Sequence, residues 1–299
     1  ALLSITRIFM MFTKGAASMN RITEVLDARG TADSESAAEG TMALPEHADR
    51  YISFEDVTFS YRGKTENTGH VSFDLPRGGT LGIIGATGSG KTTLLSLLMR
   101  FYQVPVGSGT IRIGGRDIRT MTPDELRSRF GVAMQNDFLY ADTIEENIRF
   151  GRDMTHEQVV RAATMAQAHE FISGLADGYD YKLTVKGTNL SGGQKQRLLI
   201  ARALAGSPDI LVLDDASSAL DYKTDAALRA ALRGALREDA AGRSNPPTTV
   251  IVAQRVSSIK HADLILVMRD GDIVEQGTHA QLMAQNGFYK QLYAAQFEN

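Results

Sequence analysis

Gly85-Ala86-Thr87-Gly88-Ser89-Gly90-Lys91-Thr92, set between the apolar run Leu81 to Ile84 and the segment Leu94-Leu95-Ser96-Leu97-Leu98, decides how this 299-residue chain is read. Glycines let a backbone curl closely around an anion, a lysine at this spacing supplies a point charge, and the Thr92 hydroxyl suits a magnesium ion beside terminal phosphates. A helix opening here aims its free N–H groups and positive dipole end at the same anion. A glycine-rich turn without ligand is the other reading of such a stretch. Strand, spacing, Lys and Thr together favour a phosphate cradle for ATP or GTP, with Gly85 through Thr93 as candidate nucleotide contacts and Thr92 as a candidate magnesium ligand.

Composition narrows what surrounds the cradle. With 32 Lys and Arg against 35 Asp and Glu, the net charge of −3 gives no basic excess for a phosphate backbone, so no nucleic-acid partner is expected. The chain has no cysteine, which removes disulfides and thiolate metal sites and fits a reducing compartment. Its six histidines are scattered, leaving nucleotide-bound magnesium as the expected metal.

No apolar run is long enough to cross a bilayer, yet the chain opens on Ala1-Leu2-Leu3-Ser4-Ile5-Thr6-Arg7-Ile8-Phe9 as if entered partway through a hydrophobic element. It reads as part of a longer chain, and it lacks the basic start and cleavage site of a signal peptide. Ile8, Phe12, Gly15, Met19, Ile22 and Leu26 recur at steps of four and three, predicting one helix with a single apolar face through Asp27. Periodicity alone fits equally the end of a membrane-spanning helix and an amphipathic helix of a soluble domain that packs against others. Residues 28–50 follow as a linker, rich in Gly, Ala, Ser and acidic residues.

Beyond Tyr51 the pattern turns to short strands: Ile52 to Phe59, Val71 to Leu75, Leu81 to Ile84 and Gly109 to Ile113. Thr155 to Ala205 reads as mostly helical, with one helix over Glu157 to Ala176 and another from Gly192. Ile210 to Leu213 and Val250 to Ala253 have the character of buried parallel strands. Leu264 to Met268 and Ile273-Val274 form a hairpin about an Asp/Gly turn, and Arg237 to Pro247 reads as a surface loop. Asp214 closes a central strand, where a cradle-type nucleotidase holds magnesium.

Leu190-Ser191-Gly192-Gly193-Gln194, leading into a helix through Ala205, makes a second anion-binding helix terminus with no lysine of its own, which suggests a nucleotide sandwiched between subunits. With it the sequence resembles the ATP-binding cassette family from Tyr51 onward. The resemblance implies a P-loop NTPase α/β core, RecA-like, with an antiparallel β subdomain and an α-helical subdomain over about 137–205. It implies ATP and Mg2+ as cofactors and ATP hydrolysis as the activity. Ser191, Gly192, Gly193 and Gln194 match the signature that meets the partner's ATP.

By the same resemblance Tyr61 is the aromatic platform for adenine, Gln135 touches magnesium or the attacking water, and Asp214 holds the magnesium. Asp137 to Gly151 is the surface that contacts the membrane domain in exporters. Ser218-Ala219-Leu220-Asp221 is the loop that faces the opposite site of a dimer, with Asp221 among its nucleotide contacts. Arg21 to Asp27 is similar to the segment joining the last transmembrane helix of exporters to the ATPase. That implies a membrane-tethered half-transporter with this domain on the cytoplasmic side of the cell membrane. A soluble cassette acting on nucleic acid or the ribosome is the alternative; it would call for a coiled-coil insertion or a second cassette, and neither is visible.

Two positions and one short stretch depart from the family pattern. Asp215 stands where the family has the glutamate that orients water, Gln254 where it has the switch histidine, and Thr184 to Gly187 lacks the expected acidic residue. A carboxylate withdrawn by one methylene and an amide that cannot become cationic both slow hydrolysis. Together with the intact signature they suggest the subunit that carries the degenerate site of a heterodimeric exporter, paired with a second half-transporter bearing Glu and His.

Overall fold

A computed structural model of the chain describes residues 2–27, 50–61, 68–134, 137–215, 220–238 and 247–297. The expected linker, Gln135, Ser218-Ala219 and most of the loop before Pro247 lie outside them. The described residues fall into two units, the first helix in one and everything from Arg50 in the other. Helix α1 (Leu2–Asp27) is continuous, as its stripe predicts, and Ile8, Phe12, Met19, Ile22 and Leu26 are all exposed. No helix among the described residues is long and apolar enough to cross a membrane.

The second unit is built on two sheets. β1 (Ile52–Phe59) lies between β2 (Thr68–Leu75) and β4 (Thr110–Ile113), all antiparallel, with β5 (Arg116–Asp117) beyond β4. Alternation along β1 and β2 puts Phe54 against Phe73, their rings stacked 4.7 Å apart. The larger sheet has the order β10-β9-β3-β8-β7-β6, from β3 (Thr80–Gly85), β6 (Phe130–Ala133), β7 (Ile210–Asp214), β8 (Thr248–Ala253), β9 (Leu264–Arg269) and β10 (Asp272–Gly277). Its central pairs are parallel, and the β9–β10 hairpin closes it antiparallel at one edge.

The unbroken apolar runs follow from burial on both faces. Ile210 and Val212 enter one core with Leu81, Ile83, Val250 and Val252; Leu211 and Leu213 enter another with Ile84, Ile251, Ala253, Ile265 and Val267. Helix α2 (Lys91–Leu98) covers the first face, burying Leu94, Leu95, Leu97 and Leu98. Short α3 (Pro123–Arg127) follows β5.

The helical part is more broken than its pattern predicts. α4 (Ile144–Arg149) and α5 (His156–Met165) start at Thr143 and Thr155 caps, but α5 stops and α6 (His169–Ser173) begins afresh. Gln167 takes φ +57° and Ala168 N–H donates back to Ala163 O at 2.7 Å, so the chain turns sharply while Ala166 and Ala168 are fully buried. Between Gly174 and Ser191 the chain makes 3-10 turns at Gly178–Asp180 and Val185–Gly187, which contain the left-handed residues Gly178, Lys186 and Gly187, and an isolated bridge from Lys182 to Thr143. Regular helix resumes at α7 (Gly192–Ala205). It lies close on β6: a Cβ on Gly131 would sit 2.1 Å from Ala203 O.

After β7 come α8 (Tyr222–Glu238), then α9 (Val256–Ile259) behind β8, and finally α10 (His279–Ala284) and α11 (Phe288–Phe297) after β10. The α/β architecture with an antiparallel sheet and a helical part agrees with the class expected from the sequence.

Candidate functional site

The cradle sits where β3 leaves the parallel sheet. Gly85 passes so close to β9 that a Cβ would meet Met268 O at 2.3 Å, and Gly271 N–H reaches Ser89 O at 3.2 Å. Gly88 and Gly90 take φ of +85° and +101°, which a side chain would strain, and Gly90 is the N-cap of α2. Ala86, Thr87, Gly88 and Thr92 are exposed, while Ser89 and Thr93 are buried. Lys91 Nζ folds over the loop and donates to Gly85 O at 2.8 Å and Ala86 O at 2.7 Å. Burial pushes the Lys91 ammonium down from the ordinary lysine range, and the nearby Asp214 and Asp215 carboxylates oppose that shift.

Asp214 ends β7, which β8 separates from β3 in the parallel sheet, and burial together with Asp215 holds its carboxyl above the usual range against the pull of Lys91. Asp215 leaves the strand at φ +51°, its N–H bound to Val252 O at 2.8 Å. Burial raises its carboxyl too, offset by Arg255 and Lys91. Gln254, just past β8, donates Nε2–H to Asp215 Oδ2 at 3.2 Å. Residues 39 positions apart thus meet because β7 and β8 are neighbours in register, Asp214 opposite Val252. The donor set fits the cofactors expected: a hydroxyl at Thr92 and a carboxylate at Asp214 are the hard oxygen ligands magnesium takes, and the loop's free N–H groups suit phosphate.

Tyr61 is about half exposed and lies beside the cradle, its OH 3.0 Å from Thr93 Oγ1. Its ring is held edge-on by Phe59 at 5.0 Å and by Tyr102 at 4.8 Å. The sequence reading missed Tyr102: Phe101-Tyr102 follows α2 with no pattern that separates a site aromatic from a surface one.

Ser191 and Gln194 form a capping box at the start of α7, Ser191 Oγ accepting from Gln194 N–H and Gln194 Oε1 accepting from Ser191 N–H at 2.9 Å. Among the described residues no hydrogen bond joins this terminus to the cradle. Asp221 caps α8, accepting from Thr224 N–H at 2.9 Å and Thr224 Oγ1–H at 2.7 Å. Those bonds hold its carboxyl below the usual range.

Arg202 was also missed. It is buried within α7 and donates to Asn147 O, Asn147 Oδ1 and Phe138 O at 2.8, 2.9 and 3.0 Å. Its guanidinium lies 4.5 Å over the Phe150 ring. The helix that carries the signature is thereby fastened to the segment 137–151. That segment presents Phe138, Tyr140 and Phe150, each about half exposed, and an open cavity of 290 Å³ lined by Tyr140, Asp142, Glu146, Asn147, Phe150 and Gly151.

A family profile described as ABC transporter matches residues 68–218. The uncharacterized ABC transporter ATP-binding protein YknU of Bacillus subtilis is 41% identical over 294 residues, 97% of this chain and 47% of that protein. The ATP-dependent lipid A-core flippase of Vibrio parahaemolyticus is 40% identical over 297 residues, 98% of this chain and 48% of that one. A solved structure of a bacterial Atm1-family ABC exporter with ATP bound superposes with a TM-score of 0.82 at 34% identity, covering 97% of this chain and 49% of that chain. The chain thus spans about half the length of the relatives it matches.

Proposed function

The chain belongs to the ABC transporter family, and from that premise we propose that it is the ATP-binding half of an exporter subunit whose own site holds ATP longer than it cleaves it. The observation that carries this reading is the Gln254–Asp215 hydrogen bond at 3.2 Å. A neutral amide occupies the carboxylate that would orient water, and that carboxylate stands on the shorter of the two acidic side chains. Gln254 can donate a hydrogen bond to a phosphate oxygen but cannot take up a proton and return it.

Binding is left intact by these changes. Gly88 and Gly90 shape the loop, Lys91, which now donates to Gly85 O and Ala86 O, would turn to phosphate oxygens, Thr92 and Asp214 would hold magnesium, and the Tyr61 ring would stack on adenine. Gln135 is assigned the magnesium or water contact at the junction with the helical part, and Asp221 a contact across the dimer. Bound magnesium neutralises phosphate charge.

The partner is a second half-transporter bearing Glu and His, so that Ser191 to Gln194 of this chain serves the partner's faster site. The membrane-spanning portion belongs to the same longer chain, which places this domain on the cytoplasmic face of the cell membrane. Helix α1 and the aromatic surface of 137–151 support that attachment, as does similarity to an exporter and a flippase by name.

The test uses the full subunit alone and with its partner. The subunit alone hydrolyses ATP slowly, and Asp215→Glu with Gln254→His raises turnover of the assembled complex by about tenfold or more. Brisk hydrolysis by the unaltered homodimer, abolished by changing Asp215, would sink the reading.

A further inference from the structure

One amide from outside the site reaches into it. Gln296, near the end of α11, accepts from Val256 N–H through Oε1 at 2.8 Å and donates Nε2–H to Gln254 O at 2.9 Å. A single side chain therefore clamps the backbone on both sides of Arg255. Val256 opens α9, so its N–H has no partner within the helix, and Arg255 at the N-cap position brings no acceptor of its own. The cap that local sequence fails to supply comes from a segment 40 residues away.

That segment is itself fixed. Phe288 N–H and Tyr289 N–H both donate to the Glu275 carboxylate of β10, the latter at 3.0 Å, and Tyr289 OH lies 2.8 Å from His279 Nδ1. Tyr289 is fully buried. α11 is thus anchored at its start to the sheet edge and at its end to the loop that carries Gln254.

We propose that Gln296 is a positioning residue for the nucleotide site: by pinning the carbonyl of Gln254 and the N–H of Val256 it keeps the Gln254 amide turned toward Asp215 and the γ-phosphate. The proposal rests on the reading above of a site that holds ATP. Without the clamp an exposed turn regains backbone freedom, and Gln254 spends less of its time where it can act.

The experiment uses the complete transporter loaded with radiolabelled ATP, passed rapidly through a desalting column, with the half-life of retained ATP as readout. Gln296→Leu, which keeps the bulk and removes both bonds, shortens that half-life about fivefold to tenfold. Gln296→Glu, which keeps the acceptor for Val256 and sets a second oxygen against the Gln254 carbonyl, shortens it as well. In a Gln254→Ala background neither change has a further effect, because the residue being positioned is gone. An unchanged half-life in both variants overturns the proposal, and so does equal shortening in the Gln254→Ala background, which marks a merely structural strut. An unaltered transporter that retains no ATP overturns the underlying reading instead, a result distinct from either.

Discussion

The cradle and the signature terminus are both helix starts shaped for an anion, yet they are built by opposite means. Around the cradle, Lys91, Asp214 and Asp215 place three ionisable groups in a partly buried cluster, each shifted against its ordinary range. The loop is held in a left-handed path that only glycine tolerates at Gly88 and Gly90. The start of α7 has no acidic side chain in its first turn and satisfies itself with the Ser191–Gln194 capping box. The first region stores electrostatic cost that a ligand can relieve; the second is at rest without one. A site of the first kind binds alone, and a site of the second kind acts only when another surface brings the nucleotide to it.

The largest expected effect separates the two directly. Lys91→Ala removes the charge on which the cradle depends and lowers ATP affinity of the subunit by about a hundredfold, measured by equilibrium binding of a labelled nucleotide. Ser191→Ala leaves that affinity unchanged. It shows instead as about a tenfold loss in hydrolysis by the complex, at the partner's site, with about 1 kcal/mol of stability lost with the cap. If Ser191→Ala weakened ATP binding by the subunit on its own, the contrast between the regions would collapse.

Much of this was legible in the sequence because it is local. The cradle, the closing Asp214 and the signature depend on spacings of a few residues, and continuous β-branched runs announced strands buried on two faces. The departures at Asp215 and Gln254 were legible by resemblance as belonging to one site, although only the neighbouring registers of β7 and β8 explain why they touch. What escaped was set by tertiary packing. The break at Gln167 has no glycine or proline to mark it and exists because Ala166 and Ala168 pack into the core. Arg202 looks in sequence like any helical arginine, and its role appears only once Asn147 and Phe138 turn their oxygens toward it. Gln296 lies among the mainly apolar residues Leu292-Tyr293-Ala294-Ala295 and Phe297, and nothing local connects it to the turn it caps.

The smallest expected effect bears on the cost stored at the cradle. Burial, with Asp215 adding to it, holds the Asp214 carboxyl above the usual carboxylate range. Across that window the folded chain binds more protons than the unfolded one, so stability falls as pH rises through it and stays lower above it. Asp214→Asn removes the buried charge. Without nucleotide at pH 7 the variant therefore melts higher than the unaltered protein by about 2–4 °C, and the gap closes by about pH 3, where the carboxyl is protonated in the folded and the unfolded state. With ATP and magnesium the order reverses, because the unaltered protein gains a metal ligand that the amide replaces poorly. Thermal melts with and without magnesium-ATP at the two pH values measure all of this. A ligand-free variant that melts lower at pH 7 would mean that attraction to Lys91 outweighs burial, and that the cradle, like the signature terminus, is already at rest when empty.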